Sequence, residues 1–204
     1  MHQPQSRYHH GDLYATLLRE ARTTLREDGL EALTMRRLAE RAGVSRTAPY
    51  HHFRDKNDLL CAIAARGFEH LDQLLGETKL RPDPSLPGEL RRFVHTYVHF
   101  ATEEPEQYDL MFGRELWRAG QPTAELRTIA YQTFRHYARK MTTLEPALAL
   151  PGRQNMLRLA QVSWATLHGL CRLLIDGIYP DPGSVEEISE QAVSVMLAGL
   201  KIDS

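Results

Sequence analysis

Along most of the chain, apolar residues recur at the three- and four-residue spacing that places them on one face of an α-helix. The first such stripe consists of Leu13, Leu17, Leu18, Ala21 and Leu25, and it stops at Asp28-Gly29. Further helical segments follow at 35–42, 45–53, 55–75, 90–104, 108–112, 123–144, 154–176 and 184–200. Alternating apolar and polar runs of strand length do not occur. The pattern therefore predicts an all-α protein with about nine helices.

Residues 81–88 interrupt the helical pattern. The stretch Arg81-Pro82-Asp83-Pro84-Ser85-Leu86-Pro87-Gly88 contains three prolines in eight residues. A helix interior does not tolerate proline at that density, because each proline removes a backbone hydrogen bond. We therefore predict a domain junction here, with four helices before it and five after it.

The charge of the chain is unevenly distributed. The net charge of the 204 residues is −1. Residues 1–56 contain ten Arg or Lys and seven Asp or Glu, a balance of +3, which leaves 15 basic and 19 acidic residues, a balance of −4, in the remainder. A basic N-terminal region on an acidic remainder suits a polyanionic partner for that region alone.

Cysteine content and hydropathy predict a cytoplasmic protein. The two cysteines, Cys61 and Cys171, lie far apart and without CxxC spacing, which favours a reducing location without a disulfide or a thiolate zinc site. Apolar runs are too short to span a bilayer, so we expect no membrane partner. The first residues contain no recognisable export signal.

Residues 34–45 have the pattern of a short helix followed by a tight turn. Thr34 is predicted to cap a two-turn helix. Its inner face consists of Met35, Leu38, Ala39 and Ala42. Gly43 supplies the positive φ that the position after a helix favours. Val44 is predicted to turn inward, and the Ser45 hydroxyl to cap the next helix.

The second helix of this pair, residues 45–53, exposes a polar face. Its predicted outer residues are Arg46, Thr47, Tyr50 and His51, while Ala48 and Phe53 face the core. This arrangement is typical of a helix-turn-helix, whose second helix enters the major groove of DNA. Arginine forks onto guanine, threonine meets a thymine methyl, and tyrosine or histidine reaches phosphate or base. The alternative is a plain helical hairpin with solvated charges.

Together with its flanks, this stretch resembles the N-terminal domain of the TetR/AcrR family of repressors. The resemblance spans residues 8–75 and includes Asp28-Gly29-Leu30, Leu33-Thr34-Met35-Arg36-Arg37-Leu38-Ala39, Ala42-Gly43-Val44-Ser45 and Tyr50-His51-His52-Phe53-Arg54-Asp55-Lys56-Asn57-Asp58-Leu59-Leu60. It implies a helix-turn-helix domain over 1–56, a connecting helix over 57–80, and a ligand-binding and dimerisation bundle over 88–204. It also implies a homodimeric repressor that binds a palindromic DNA operator and is released by a small-molecule effector.

The resemblance assigns roles to individual residues. Thr34 and Arg36 would contact backbone and base edge, and Arg46 and Thr47 would read bases. Lys56 would bind a phosphate at a helix N-terminus, whose partial positive charge favours anions. The full DNA-binding set is Thr34, Arg36, Ser45, Arg46, Thr47, Tyr50, His51 and Lys56. Pro49 departs from the residue that the family usually has before the tyrosine and removes an intrahelical bond, which predicts an irregular recognition helix.

The C-terminal half contains a second, shorter resemblance. The segment Trp164-Ala165-Thr166-Leu167-His168-Gly169-Leu170 is similar to the Trp-His-Gly signature of one subgroup of effector domains. Trp164, His168 and Cys171 share a helix face and would line one wall of a cavity. The opposing candidates are Tyr97, Phe112, Trp117, Tyr131 and Phe134, so the effector is expected to be largely apolar. The alternative is that these residues form the helical core.

The dimer surface is predicted on the last two long helices. These segments are residues 157–175 and 188–200, where the small residues Ala192, Ala198 and Gly199 allow close approach of a second copy.

Two other functions remain as alternatives. His95 and His99 are four residues apart, a spacing that lets two imidazoles share a metal in an all-α enzyme. A third ligand is missing nearby, and we find no nucleophile elbow or phosphate-binding loop, so we predict no metal site, no cofactor and no catalytic residues. The second alternative is a DNA-binding protein without an effector, which a C-terminal domain without a pocket would favour.

Overall fold

The computed structural model describes residues 10–119, 121–147, 153–179 and 184–198, and over these the chain forms eight α-helices and no strand. The helices are α1 His10–Asp28, α2 Met35–Arg41, α3 Lys56–Glu77, α4 Leu86–Glu103, α5 Pro105–Phe112, α6 Ala124–Met141, α7 Arg153–Ile175 and α8 Ser184–Ala198. Short 3-10 segments occupy Ala48–His51 and Thr142–Ala147, and a π-turn occupies Glu115–Ala119. The all-α prediction is confirmed. None of the helices in this described part combines the length and apolarity that a membrane crossing requires.

The difference between nine predicted and eight observed helices lies at residues 45–53. In an α-helix starting there, the Ser45 carbonyl would accept a hydrogen bond from residue 49, which is proline and has no N–H. The N–H of Ala48 donates to Ser45 instead, at 3.0 Å, and that of Tyr50 donates to Thr47 at 3.1 Å. Both bonds span three residues, so the segment forms a 3-10 turn in place of an α-helix.

The proline-rich stretch does not end the helical structure as completely as predicted. Helix α4 begins at Leu86, inside that stretch, with Ser85 at its N-cap. Pro87 lies in the first turn, where a backbone N–H has no partner within the helix and proline is tolerated. The predicted interruption therefore covers only the residues between α3 and Leu86.

The chain divides into two compact units. The first unit is Met1–Gly67 with Glu106–Arg127, and the second unit is Phe68–Pro105 with Thr128–Ser204. Helix α3 contributes its first part to the first unit and its last part to the second. The predicted domain boundaries, 1–56, 57–80 and 88–204, stay a prediction.

The core of the first unit forms where α1 packs against α2, and α2 against the 3-10 segment Ala48–His51. Its buried side chains include Leu17, Leu18, Ala21, Leu25, Leu33, Met35, Leu38, Ala39 and Phe53. Each large apolar side chain removed from water contributes about 1.5–3 kcal/mol. This burial fixes which face of the helix-turn-helix remains in solvent.

In the second unit, α4 packs against both α7 and α8. Phe93 and Tyr97 of α4 are fully buried, as are Ala160, Leu167 and Cys171 of α7. The apolar stripes predicted for 90–104 and 154–176 thus form the centre of this unit. Arg91 adds an ion pair across the same interface, to Glu190 of α8, and His95 hydrogen-bonds the same carboxylate.

A row of polar contacts joins α6 to the C-terminal part of α3. Thr133 donates to the Phe68 carbonyl at 3.3 Å, and His136 Nδ1 lies 2.8 Å from Asp72. One turn later, Lys140 Nζ donates to the Leu75, Gly76 and Thr78 carbonyls. Because the last carbonyls of a helix have no partner within it, this ammonium completes the end of α3. Burial lowers the pKa of Lys140.

Candidate nucleic-acid interface

Both ends of α2 are closed by the residues that the sequence predicts. The N–H of Arg37 donates to the Thr34 hydroxyl at 3.1 Å, so Thr34 is the N-cap. Gly43 has φ +67°, and the N–H of Val44 donates back to the Ala39 carbonyl at 3.0 Å. This backward bond after a left-handed residue is the Schellman motif, which redirects the chain within a few residues. The predicted cap and turn are confirmed.

Two arginines of α2 are used to hold that helix on α1. Arg37 donates to Asp28 at 2.7 Å, and Arg41 donates to Glu27 at 3.0 Å and lies 3.5 Å from Glu20. The hydrogen bond that Arg41 donates to Glu27 raises the pKa of Arg41. The sequence analysis missed this role, although arginines at 37 and 41 facing an acidic helix end were visible. The cations left exposed on this motif include Arg36 and Arg46.

The outer face of the 3-10 segment and its approach consists of exposed polar and aromatic side chains, as predicted. Arg46, Thr47 and His51 are exposed, and Tyr50 is 55% exposed, although tyrosine rings are usually at least half covered. The Ser45 hydroxyl lies 3.2 Å from that of Thr47. The predicted cap by Ser45 is therefore wrong, because its side chain pairs with a hydroxyl and not with a backbone N–H.

The inner face of the same segment is fixed against α1. Pro49 is buried, and its carbonyl accepts from the N–H of Phe53 at 2.9 Å. The Phe53 ring, 2% exposed, stacks on Tyr14 with centroids 5.3 Å apart. His52 lies 5.9 Å from the same tyrosine ring. Sequence analysis placed Phe53 correctly and missed Pro49 and Tyr14 as its partners.

The start of α3 is capped by carboxylates, and its first lysine contacts the preceding loop. The N–H of Asp58 donates to Asp55 at 2.8 Å, while the Asp58 carboxylate accepts from the N–H of Arg54 at 3.1 Å. Lys56 Nζ donates to the Leu30 carbonyl at 2.8 Å. An ammonium has three N–H groups, so this bond leaves two for another acceptor. The predicted phosphate contact of Lys56 stays a prediction, beside a structural role that the sequence did not indicate.

Three of the predicted ligand-binding residues lie together in the second unit. The Trp164 ring is 5.7 Å from both Tyr97 and Phe134, in edge-to-face geometry. Tyr137, which the sequence analysis did not select, is closer still, at 4.8 Å. This aromatic cluster is compatible with either a cavity wall or a core.

The other predicted ligand residues are dispersed. Cys171 is buried and Tyr131 is 65% exposed, while Phe112 and Trp117 belong to the first unit. Trp117 donates its indole N–H to the Met111 carbonyl at 2.7 Å. His168 is half-buried, and burial together with the nearby Arg172 lowers its pKa.

The second unit also contains a partly enclosed cavity of about 50 Å³. It is lined by Leu90, Phe93, Tyr137, Met141, Leu144, Leu159, Ser163 and Met196. None of the eight predicted ligand residues lines it, although Trp164 packs against the Tyr137 ring. The Tyr137 hydroxyl lies 2.6 Å from Ser163 Oγ, and these hydroxyls are the polar side-chain groups of the wall.

The two histidines considered as metal ligands bind different carboxylates. His95 Nε2 lies 3.0 Å from Glu190, and His99 Nδ1 lies 3.3 Å from Glu103. Among the residues with described positions, no group of three or more His, Cys, Asp or Glu side chains is arranged to hold a metal ion. The geometry gives no support to the metal-enzyme alternative.

Comparison with known families identifies the class of the protein. Residues 17–63 match the family model of the bacterial regulatory proteins of the tetR family. Residues 90–196 match the model of the tetracyclin repressor-like C-terminal domain. The chain therefore belongs to the TetR family of bacterial regulatory proteins.

Individual relatives share either part of the sequence or the whole fold. The HTH-type transcriptional repressor AcnR of Corynebacterium glutamicum is 35% identical over 95 residues, which are 47% of this chain and 43% of AcnR. The match thus spans less than half of this curated relative. A protein of unknown function from Rhodococcus sp. RHA1 has a TM-score of 0.79 and 31% identity, over 97% of this chain and all of that one. The multidrug binding protein EbrR, complexed with imidazole, has a TM-score of 0.60 and 19% identity over 95% of this chain and 96% of its own, and shares the fold alone.

Proposed function

We propose that this protein is a transcriptional repressor that binds a palindromic DNA operator as a homodimer and is released by a small-molecule effector. The observation that supports it most is the exposed row Arg46, Thr47, Tyr50 and His51 on a turn whose inner side is fixed by Phe53. Its place of action would be the cytoplasm. We propose no catalytic role.

DNA recognition is proposed for the residues of the helix-turn-helix that remain in solvent. Arg46 and Thr47 would read base edges, and Tyr50 and His51 would bind phosphates. Arg37 and Arg41 are engaged with carboxylates of α1, so they are left out of the set. The proposed DNA-binding residues are Thr34, Arg36, Ser45, Arg46, Thr47, Tyr50, His51 and Lys56.

Dimerisation is proposed through α7 and α8. Val162 and Val195 on these helices are 64% and 61% exposed, and Leu157 and Leu173 are exposed beside them. A groove of about 640 Å³ between the two helices is walled in part by small residues, Ala165, Gly169 and Ala192. Exposed apolar patches of this kind mark association surfaces. Packing the same face of a second copy onto it would give a four-helix arrangement with two-fold symmetry.

Effector binding is proposed for the second unit. The cavity beside Tyr137 supports an effector-responsive protein over a DNA-binding protein without an effector. EbrR, which shares the fold, is described as a multidrug binding protein. Helix α3 contributes to both units. An effector that binds one conformation of the second unit more tightly would therefore change the fraction of dimers that can bind the operator. Tyr97, Phe134 and Trp164 would support the wall that contains Tyr137.

The test is a mobility-shift titration on the DNA upstream of the protein's own coding region. Each neutralised phosphate should contribute about −0.9 to the slope of log affinity against log salt. Arg46→Ala should cost about 1–3 kcal/mol on the specific site and far less on random DNA, because a base contact is lost. Lys56→Ala should weaken both alike.

Arg26→Ala is the matched control, because Arg26 is an exposed arginine at the end of α1, outside the motif. It should change neither affinity by more than about 0.5 kcal/mol. Equal losses on both DNAs for Arg46→Ala would place Arg46 on the DNA backbone. Binding without salt dependence would contradict the proposed function.

A further inference from the structure

We infer that the cavity beside Tyr137 binds a small neutral alcohol, whose hydroxyl donates a hydrogen bond to the Tyr137 oxygen. Only the role of the bound molecule in DNA release rests on the proposed function. Binding itself follows from the cavity and is measurable without DNA.

The wall of the cavity selects an uncharged molecule with a mainly apolar body. Six of its eight lining residues are Leu, Phe or Met, and the other two contribute neutral hydroxyls. Burial raises the pKa of Tyr137, which keeps the phenol protonated. A charged ligand would lose its hydration and find no counter-charge on this wall. Ions are therefore poor ligands for this cavity.

The hydroxyl pair specifies what the ligand's polar group does. Ser163 Oγ lies 3.3 Å from the Ala160 carbonyl of its own helix and 2.6 Å from the Tyr137 oxygen. If Ser163 donates to Ala160, Tyr137 must donate to Ser163, because each hydroxyl has one proton. The Tyr137 oxygen then receives no hydrogen bond from the described residues. A ligand O–H supplies that bond, and a ketone or an ether of the same size does not.

The volume limits the size of the ligand. About 50 Å³ accommodates roughly four water-sized groups, at about 10–15 Å³ each. Met141 and Met196 border the space, and unbranched methionine side chains adjust to an irregular occupant. Along a series of primary alcohols, affinity should therefore rise about fourfold per added methylene. The rise should end once the chain exceeds the cavity, at about five non-hydrogen atoms.

The two methionines also provide the measurement. Full-length protein with ¹³C-labelled methionine methyl groups is titrated with 1-propanol, 1-butanol, 1-hexanol and 2-butanone, without DNA. Saturable shifts are expected for Met141 and Met196, and none for Met35, which lies in the first unit. 1-Butanol should bind about 3–10-fold more tightly than 2-butanone, which corresponds to one hydrogen bond. Equal affinities, or shifts that do not saturate, would overturn the inference.

Two variants make the test specific for the hydroxyl pair. Tyr137→Phe should reduce the affinity for 1-butanol to that for 2-butanone. Ser163→Ala removes the acceptor of the Tyr137 proton, which is then available to a ketone oxygen. This variant should therefore bind 2-butanone more tightly than 1-butanol. Ser189→Ala is the matched control, because Ser189 is a buried serine that donates to its own helix, at Val185, outside the cavity. Unchanged selectivity in Ser163→Ala would contradict the assignment even if Tyr137→Phe fails to fold.

A DNA-release assay separates this inference from the proposed function. If 1-butanol binds as described and leaves the DNA complex intact, the cavity assignment holds and the effector role of this site is wrong. If another compound releases DNA without shifting Met141 and Met196, the repressor proposal holds and the cavity is not its effector site.

Discussion

The two units of the molecule place their candidate sites by different means. In the first unit, contacts between residues close in sequence, such as Arg37 with Thr34 and Val44 with Ala39, leave a polar row in solvent. In the second unit, the cavity depends on distant partners: Tyr137 and Ser163 are 26 positions apart. A DNA-binding surface needs particular side chains held in solvent, and helix caps and turns achieve this through contacts that are local in sequence. A ligand cavity needs helices packed in a fixed register, which depends on contacts between residues distant in sequence.

The largest effect that distinguishes the units is expected from Val195→Asp on α8. This side chain is 61% exposed in the single chain and lies on the groove proposed for dimerisation. Burying a carboxylate without a partner costs several kcal/mol. We therefore expect dimerisation to weaken by at least about a hundredfold, and operator binding to fall with it, while the first unit stays folded. Sedimentation velocity and a mobility shift measure the two effects.

Ser194→Asp is the control for that substitution. Ser194 is exposed next to Val195 on the same helix and does not line the groove. This change should leave the dimer intact. A dimeric Val195→Asp protein would remove α8 from the proposed interface.

A smaller effect, of opposite sign in the two units, is expected when glycines are replaced by alanine. Gly43 has φ +67° and open space where a Cβ atom would lie, so Gly43→Ala should cost about 1–2 kcal/mol through backbone conformation alone. Gly88 in α4 also has open space, but an ordinary helical φ. Gly88→Ala should therefore stabilise the protein by about 0.4–1 kcal/mol. Urea unfolding followed by circular dichroism gives both values.

Gly29→Ala is a second probe of the same physical cause. Gly29 has φ +81° and open space, and it ends α1 as Gly43 ends α2. It should behave like Gly43→Ala. A neutral result at both glycines would show that the turns do not depend on the left-handed conformation.

The same contrast explains how far the sequence predicted each site. In the first unit, Thr34 and Gly43 act through bonds within a short stretch, so their roles were visible in spacing. Phe53 was identified from its apolar position in the segment, although its partner Tyr14 is 39 positions away. The 3-10 turn was only partly foreseen, because one missing N–H at Pro49 changes the whole segment. The Arg41 contacts to α1 were missed, since they join residues 14 and 21 positions apart.

In the second unit, the sequence predicted the helices, but not the residues that line the cavity. The stripe containing Trp164 identified a buried helix face, and Trp164 does contact Tyr97 and Phe134. The residue of α7 that brings a hydroxyl to the cavity is the neighbour of Trp164, Ser163, because the register between α6 and α7 places that position beside Tyr137. A single sequence contains no information on that register.

The smallest effect expected is a pH dependence that belongs to the second unit. Arg91 Nε lies 2.7 and 2.9 Å from the two Glu190 oxygens, and His95 Nε2 lies 3.0 Å from one of them. The hydrogen bond from Arg91, followed by that from His95, lowers the pKa of Glu190 below its ordinary value of about 4.3. For a carboxylate whose folded-state pKa is depressed, the stabilisation is present above the unfolded-state pKa. It is lost as the pH falls through the folded-state pKa, because the unfolded chain then binds more protons.

We therefore expect the free energy of unfolding to decrease as the pH falls below about 5. Glu190→Gln should reduce that slope, and its difference from the wild type should disappear only at a pH below the folded-state pKa of Glu190. Urea titrations of both proteins at half-unit pH intervals measure the difference. The effect should be small, since Glu190 is partly exposed and solvent screens the pair. Glu187→Gln is the control, because Glu187 is an exposed carboxylate on the same helix. It shows how much the loss of another carboxylate of α8 changes the slope of the unfolding free energy against pH. If Glu190→Gln retains the full wild-type slope, the link between α4 and α8 contributes nothing to the acid sensitivity.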